Sequence, residues 1–143
     1  MDAPLVTEEI YNASAERIWQ AITDTEQMKA WYFDIPDFKP EKRQEFSWYE
    51  PGPNKKFLHQ AQVTEVVPNK KLQHSWYYPH HSKGKSTVTW EIEPDGDQIK
   101  VRLIHEGIEH LSDGGPDFAR SNFEAGWKEI LGKSLKAFIE KPM

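Results

Sequence analysis

Ser86-Thr87-Val88-Thr89-Trp90-Glu91-Ile92-Glu93-Pro94-Asp95-Gly96-Asp97-Gln98-Ile99-Lys100-Val101-Arg102-Leu103-Ile104-His105-Glu106 carries the most regular pattern in the chain. Val88, Trp90 and Ile92 alternate with Thr87, Thr89 and Glu91, and Ile99, Val101, Leu103 and His105 resume the alternation after Asp95-Gly96-Asp97. Successive side chains of a strand point to opposite faces, so a period of two describes strands with one buried face and one wet face. Asp-Gly between two such runs signals a tight hairpin, because its turn needs residues that tolerate positive φ. The stretch therefore predicts two paired antiparallel strands.

Working outward, the same period runs back to Gln44 and predicts five strands between there and Glu106. Phe46 and Trp48 alternate with Ser47 and Tyr49; Phe57, His59, Ala61 and Val63 share a face after a turn at Pro51-Gly52-Pro53-Asn54; Leu72, His74, Trp76 and Tyr78 follow Pro68-Asn69. Upstream, Leu5 to Tyr11 reads as a further strand. Asn12 and Ser14 offer N-caps for a helix carrying Ile18, Trp19 and Ile22, and Asp24 with Gln27 resembles a capping box for a second short helix to about Trp31. Downstream, Gly114-Gly115-Pro116 breaks the chain before one long helix expected from about Asp117 to Lys141. On a 100° wheel its apolar stripe is Phe123, Trp127, Ile130, Leu131, Ser134 and Phe138. Such a helix must cover something apolar, and the only partner large enough is one face of the sheet. The order β-α-α-β-β-β-β-β-α gives an α+β class.

At 143 residues the chain fits one domain spanning 1–143 and can bury a sizeable core. Only 37% of residues are hydrophobic, but 13% are aromatic, which separates it from disordered chains. The net charge of −5, spread without a basic block, argues against nucleic acid and anionic membrane surfaces. No cysteine is present, so disulfides and thiolate metal sites are excluded. Met1-Asp2-Ala3-Pro4 lacks the features of a signal peptide and the longest apolar run, Ala30 to Phe33, is four residues, so a cytoplasmic location without membrane insertion is expected.

The element order, Ala15-Glu16-Arg17-Ile18-Trp19 opening the first helix, Ser86 to Ile92 followed by Asp95-Gly96, the segment Val101 to Glu106, and Gly126-Trp127 in the last helix together resemble the family of activator of heat shock protein 90 ATPase homologues. That family lies in the START-like (SRPBCC, Bet v-type) superfamily. The resemblance implies a helix-grip fold: a curved six-stranded antiparallel sheet wrapped around a long C-terminal helix, with two short helices between strands 1 and 2 and a pocket between sheet and helix. It implies non-covalent binding of a hydrophobic or amphipathic small molecule, lipid or polyketide-like, as in many superfamily members; a minority are enzymes. The alternatives are a cyclase or hydrolase using an inward histidine, and a chaperone-associated or stress-response module. No counterpart of the separate domain that engages the chaperone in the eukaryotic activator is expected, so the resemblance does not imply co-chaperone activity. No cofactor is implied, and the expected assembly is a monomer or weak homodimer.

Several residues carry possible chemistry. His59, His74 and His105 all fall on inward faces, as neutral imidazoles with hydrogen-bond partners, as polar anchors for a ligand, or as metal ligands or acid/base groups. His105-Glu106-Gly107-Ile108-Glu109-His110 misses a zinc-protease motif by one residue, and Gly84-Lys85-Ser86 and Gly132-Lys133-Ser134 lack the preceding glycine of a phosphate loop. His80-His81 is expected to be solvated. Trp48, Phe57, Trp76, Tyr78, Trp90, Phe123 and Trp127 are expected to converge between sheet and helix, as core or as pocket wall. Arg120 and Glu124 share the stripe of Phe123 and Trp127, where they are expected either to pair at a cavity mouth, orienting a polar head, or to snorkel to water. Gly126 in mid-helix costs about 1 kcal/mol relative to Ala, which predicts a close approach by another element. The ligand-binding set is thus Trp48, Phe57, His59, His74, Trp76, Trp90, His105, Arg120, Phe123, Glu124 and Trp127, with no catalytic or metal site.

Overall fold

The structure is a computed structural model that describes residues 3–49 and 57–140. Strand β1 (Leu5–Tyr11) leads into α1 (Ala15–Thr23) and α2 (Thr25–Trp31), then β2 (Glu45–Tyr49), β3 (Leu58–Val67), β4 (Lys71–Trp76), β5 (Ser86–Asp95) and β6 (Gln98–Glu106). The expected turn at Pro51 to Asn54 lies outside the described residues. All neighbours are antiparallel, in the order β1-β6-β5-β4-β3-β2. The hairpin read from Asp95-Gly96-Asp97 is present: Asp95 pairs with Gln98, and Gly96 takes φ 63°. A register shift between Val63 and Glu65 marks a bulge, a device that bends a strand and so curves the sheet.

Cross-strand register explains the inner face. Leu5, His105, Val88, His74 and Val63 form one row across five strands, and Thr7, Leu103, Trp90 and Leu72 form the next. Polar residues hold the opposite face, where Arg102 reaches Glu8 at 2.6 Å, Glu93 at 3.3 Å and Glu91 at 3.4 Å. Ser14 caps α1 by accepting from the Arg17 amide (3.1 Å), while Asn12 does not cap. Asp24 caps α2 through the Glu26 amide (3.3 Å).

After short 3-10 turns at Ile108–Gly114 and Pro116–Phe118, helix α3 (Arg120–Glu129) runs through a π-turn, Ile130–Leu135, into α4 (Lys136–Ile139). The rod begins three residues later than expected, and Lys141 lies outside the described residues. The π-turn corrects the predicted stripe. A π-turn closes i→i+5 bonds and holds more residues than the 3.6 of an α-turn. Trp127, Leu131, Leu135 and Ile139, four residues apart, therefore stay on one line and are buried, whereas Ser134 and Phe138 turn partly outward.

Three ties hold the rod beside β1. Arg120 donates to the carbonyls of Ala3 (2.6 Å) and Pro4 (3.2 Å), Lys136 to that of Ile10 (3.0 Å), and the buried Tyr11 hydroxyl to Leu131 (2.7 Å) within the π-turn. Tyr11→Phe leaves the Leu131 carbonyl without this donor in an apolar setting, so it is expected to lower stability by about 1–3 kcal/mol in urea unfolding. Among the described residues no helix is long and apolar enough to cross a membrane.

Candidate functional site

Because the rod is tied to β1, its other flank faces an open cleft of about 120 Å³ toward β4. Phe123, Trp127 and Ile130 form the helix side, with Asn122 at the rim; Phe33, Trp76 and Tyr78 form the other wall. Gly126 lies between the two helix aromatics. A Cβ built there meets nothing within 4 Å, so no element approaches it closely, contrary to expectation. The missing side chain leaves a notch in the wall of the cleft.

Behind Trp76 lies a second, more nearly closed cavity of about 20 Å³, bordered by Trp48, His74 and Trp90 together with Trp31, Tyr32 and Phe46. About 10–15 Å³ suffices for one water, so this space admits a single oxygen-sized group. The space between cavity and cleft is filled by rings. Trp48 stacks with Phe46 (5.4 Å between ring centroids) and with His59 (4.9 Å), and Trp76 meets Trp48 at 5.2 Å and Trp127 at 5.3 Å.

The expected ligand residues thus divide. Trp76, Phe123 and Trp127 line the cleft; Trp48, His74 and Trp90 line the smaller cavity; His59 and His105 are buried behind rings. Phe57 packs instead with Phe118 (5.6 Å) and His81 (5.0 Å) at the end of the sheet. His81 is therefore half-buried, not solvated, and its buried Nδ1 has no partner among the described residues. Arg120 and Glu124 do not pair: Arg120 is committed to the β1 end, and Glu124 binds Lys128 at 3.1 Å. Phe33 and Tyr32 were not anticipated as wall residues. They follow α2, where the apolar run Ala30 to Phe33 was the available signal.

Two of the inward histidines, His105 and His74, have defined protonation. Trp127 Nε1–H donates to His105 Nδ1 at 3.1 Å, so that nitrogen carries no proton. His105 Nε2–H then donates to Ser86 Oγ (2.8 Å), and the Ser86 hydroxyl donates to the Trp76 carbonyl (2.7 Å). A serine–histidine nucleophile needs the opposite polarity, with an acceptor behind the imidazole and a free lone pair toward the hydroxyl. Here both ring nitrogens are spent on structure. His74 Nδ1 bonds the Ser75 carbonyl at 2.8 Å, and a carbonyl only accepts, so Nδ1 holds the proton. Burial pulls the His105 pKa down to about 3, helped by nearby His74, and pulls that of His74 down to about 4 against the opposing Ser75 bond. Both rings are neutral at pH 7. They flank Val88 on one row, two strands or roughly 9–10 Å apart, beyond the reach of a shared metal ion with bonds near 2 Å. Among the described residues no three side chains gather as a metal site.

A curved six-stranded antiparallel sheet gripping a C-terminal helix, with two short helices inserted after the first strand, defines the helix-grip class. The model of the family "Activator of Hsp90 ATPase homolog 1-like protein" matches residues 12–140, and the chain belongs to that family. Among solved structures, protein MLL2253 from Mesorhizobium loti is 22% identical with a TM-score of 0.80, the match covering 99% of each chain. Protein CV1439 from Chromobacterium violaceum is 16% identical with a TM-score of 0.81, covering 99% of this chain and 100% of that one. The Aha1 dimer from Colwellia psychrerythraea is 23% identical with a TM-score of 0.72, covering 98% of each. At such identities these likenesses concern the fold. No curated protein matches the chain.

Proposed function

We propose that the chain binds a small apolar molecule non-covalently in the cleft between the first half of the C-terminal rod and β4. The observation that carries this reading is the notch at Gly126. A helix that needed only to pack would place a side chain between Phe123 and Trp127; this one leaves apolar wall uncovered, at a position where Gly costs about 1 kcal/mol against Ala. Ligand sites are concave and mostly apolar with few polar groups, and those for drug-sized molecules span about 300–1,000 Å³. A cleft of about 120 Å³ suits one or two fused rings better than a long acyl chain or a large polyketide.

Titration with uncharged one- and two-ring hydrocarbons, followed by tryptophan fluorescence and amide chemical shifts, tests this. Shifts are expected at Phe33, Trp76, Phe123 and Gly126. Gly126→Leu fills the notch and is expected to weaken binding at least tenfold, while Gly126→Ala gains up to about 1 kcal/mol of stability from helix propensity. Binding unaffected by Gly126→Leu would place the ligand elsewhere and end the proposal.

A further inference from the structure

We infer that Trp48 and His74 form a hydroxyl-binding subsite, and that the molecule held in the cleft is an uncharged aromatic alcohol whose hydroxyl enters the smaller cavity. The inference rests on the cleft reading above and extends it to the chemistry of the ligand.

Trp48 is 4% exposed, and its Nε1–H has no hydrogen-bond partner among the described residues. Buried polar groups are nearly always partnered, so an orphaned indole N–H is an exception that calls for an acceptor. The ring cannot easily turn away to find one, because Phe46 and His59 both stack on it, 14° and 15° from parallel. His74 borders the same cavity. Its Nδ1–H is committed to the Ser75 carbonyl, so the remaining nitrogen, Nε2, offers a lone pair. A residue with an unanswered donor and a residue with an unanswered acceptor thus line one space with room for one oxygen.

A hydroxyl is the smallest ligand group that both accepts and donates. A ketone would serve Trp48 but leave His74 unanswered. A carboxylate or an ammonium would be worse, because among the described residues no Lys, Arg, Asp or Glu lines either the cavity or the cleft, and an unpaired charge in such a setting is strongly disfavoured. The ligand is therefore neutral. Its route is short: Phe33 and Trp76 both line the cleft and both lie against Trp48, with centroids 5.8 and 5.2 Å away. Trp76 is held by its Nε1–H bond to Tyr78 Oη at 2.8 Å, whereas Phe33 is half-buried on the segment after α2. Phe33 is the ring that yields.

The test compares 2-naphthol, 2-methylnaphthalene and 2-naphthoate by calorimetry and by the indole N–H resonances of the wild-type protein. The hydroxyl and methyl groups are close in size, so the first two differ chiefly in hydrogen bonding. Expected are about tenfold tighter binding of 2-naphthol than of 2-methylnaphthalene, the scale of one net hydrogen bond, and no measurable binding of 2-naphthoate. The Trp48 indole N–H should move downfield with 2-naphthol alone, a readout that needs no variant. In Trp48→Phe the preference for 2-naphthol should fall away while 2-methylnaphthalene still binds. Equal binding of the two neutral probes, or a preference that survives Trp48→Phe, would overturn the subsite and leave the cleft standing. Absence of binding by both neutral probes would overturn subsite and cleft together.

Discussion

Replacing Trp127 with Ala is expected to lower the unfolding free energy by about 5 kcal/mol, more than any other single truncation on the rod. Two losses add. The ring is 2% exposed and touches Trp76, Trp90 and His105 at centroid distances of 5.3, 6.0 and 6.0 Å, so its removal opens a large void where sheet and helix meet. Truncations of this kind cost about 3–5 kcal/mol. The second loss is polar: His105 Nδ1 forfeits the only donor facing it among the described residues and stays buried as an unpaired acceptor, at about 1–3 kcal/mol. A small domain has about 5–15 kcal/mol in total, so the variant stands at the edge of folding. Trp127→Phe separates the terms. It keeps most of the ring contact and removes the N–H, so it should show mainly the polar loss. Urea unfolding of both variants gives the comparison, and the imidazole nitrogen shifts of His105 report the tautomer directly. If Trp127→Phe is as stable as wild type and the His105 tautomer is unchanged, the Trp127–His105 bond does not hold the imidazole as described.

The sheet was legible because its signal survives tertiary context. Period two in Val88, Trp90 and Ile92 and in Val101, Leu103 and His105 follows from one face being dry, and Asp95-Gly96 can only turn. The rod was legible as a helix and misread in phase. Trp127, Leu131, Leu135 and Ile139 are four apart, and an α-helix drifts about 40° with each such step. An unbroken spacing of four was itself the trace of a wider turn, present in the sequence for a reader not holding to 3.6 residues per turn. Arg120 was misplaced for a different reason. Its partners are backbone carbonyls of residues 3 and 4, and carbonyls carry no letter; Glu124 was the acceptor that the wheel placed on the same stripe. At Gly126 the sequence correctly demanded a cause for a costly residue, but a glycine reads the same whether it admits a neighbour or leaves room. The inwardness of the three histidines was readable from parity. Their protonation was not, since it depends on an indole 22 residues from His105 and on a carbonyl next to His74.

That protonation makes the second large effect, a loss of stability on mild acidification. His74 and His105 have folded pKa values lowered to about 4 and about 3, against 6.5 for an ordinary histidine in the unfolded chain, burial being the main cause for both. Between pH 6.5 and 4 the unfolded chain takes up a proton at each ring while the native protein refuses both. The unfolded state therefore binds more protons, and native stability falls as pH falls. With two such groups the expected loss between pH 7 and pH 5 is about 4 kcal/mol, at 1.36 kcal/mol for each proton and pH unit. The direction matches that for carboxylates, but the window differs. Glu8 and Asp113, lowered by Arg102 and by Ser82 respectively, add their own loss only below their ordinary values of 4.5 and 3.8. His105→Gln supplies the control, because an amide can accept from Trp127 and donate to Ser86 without titrating; its loss between pH 7 and pH 5 should be about half that of the wild type. Urea unfolding at the two pH values decides. Equal wild-type stability at both would mean that the buried imidazoles accept protons in the folded state, and the donor order Trp127 to His105 to Ser86 to the Trp76 carbonyl would have to be abandoned.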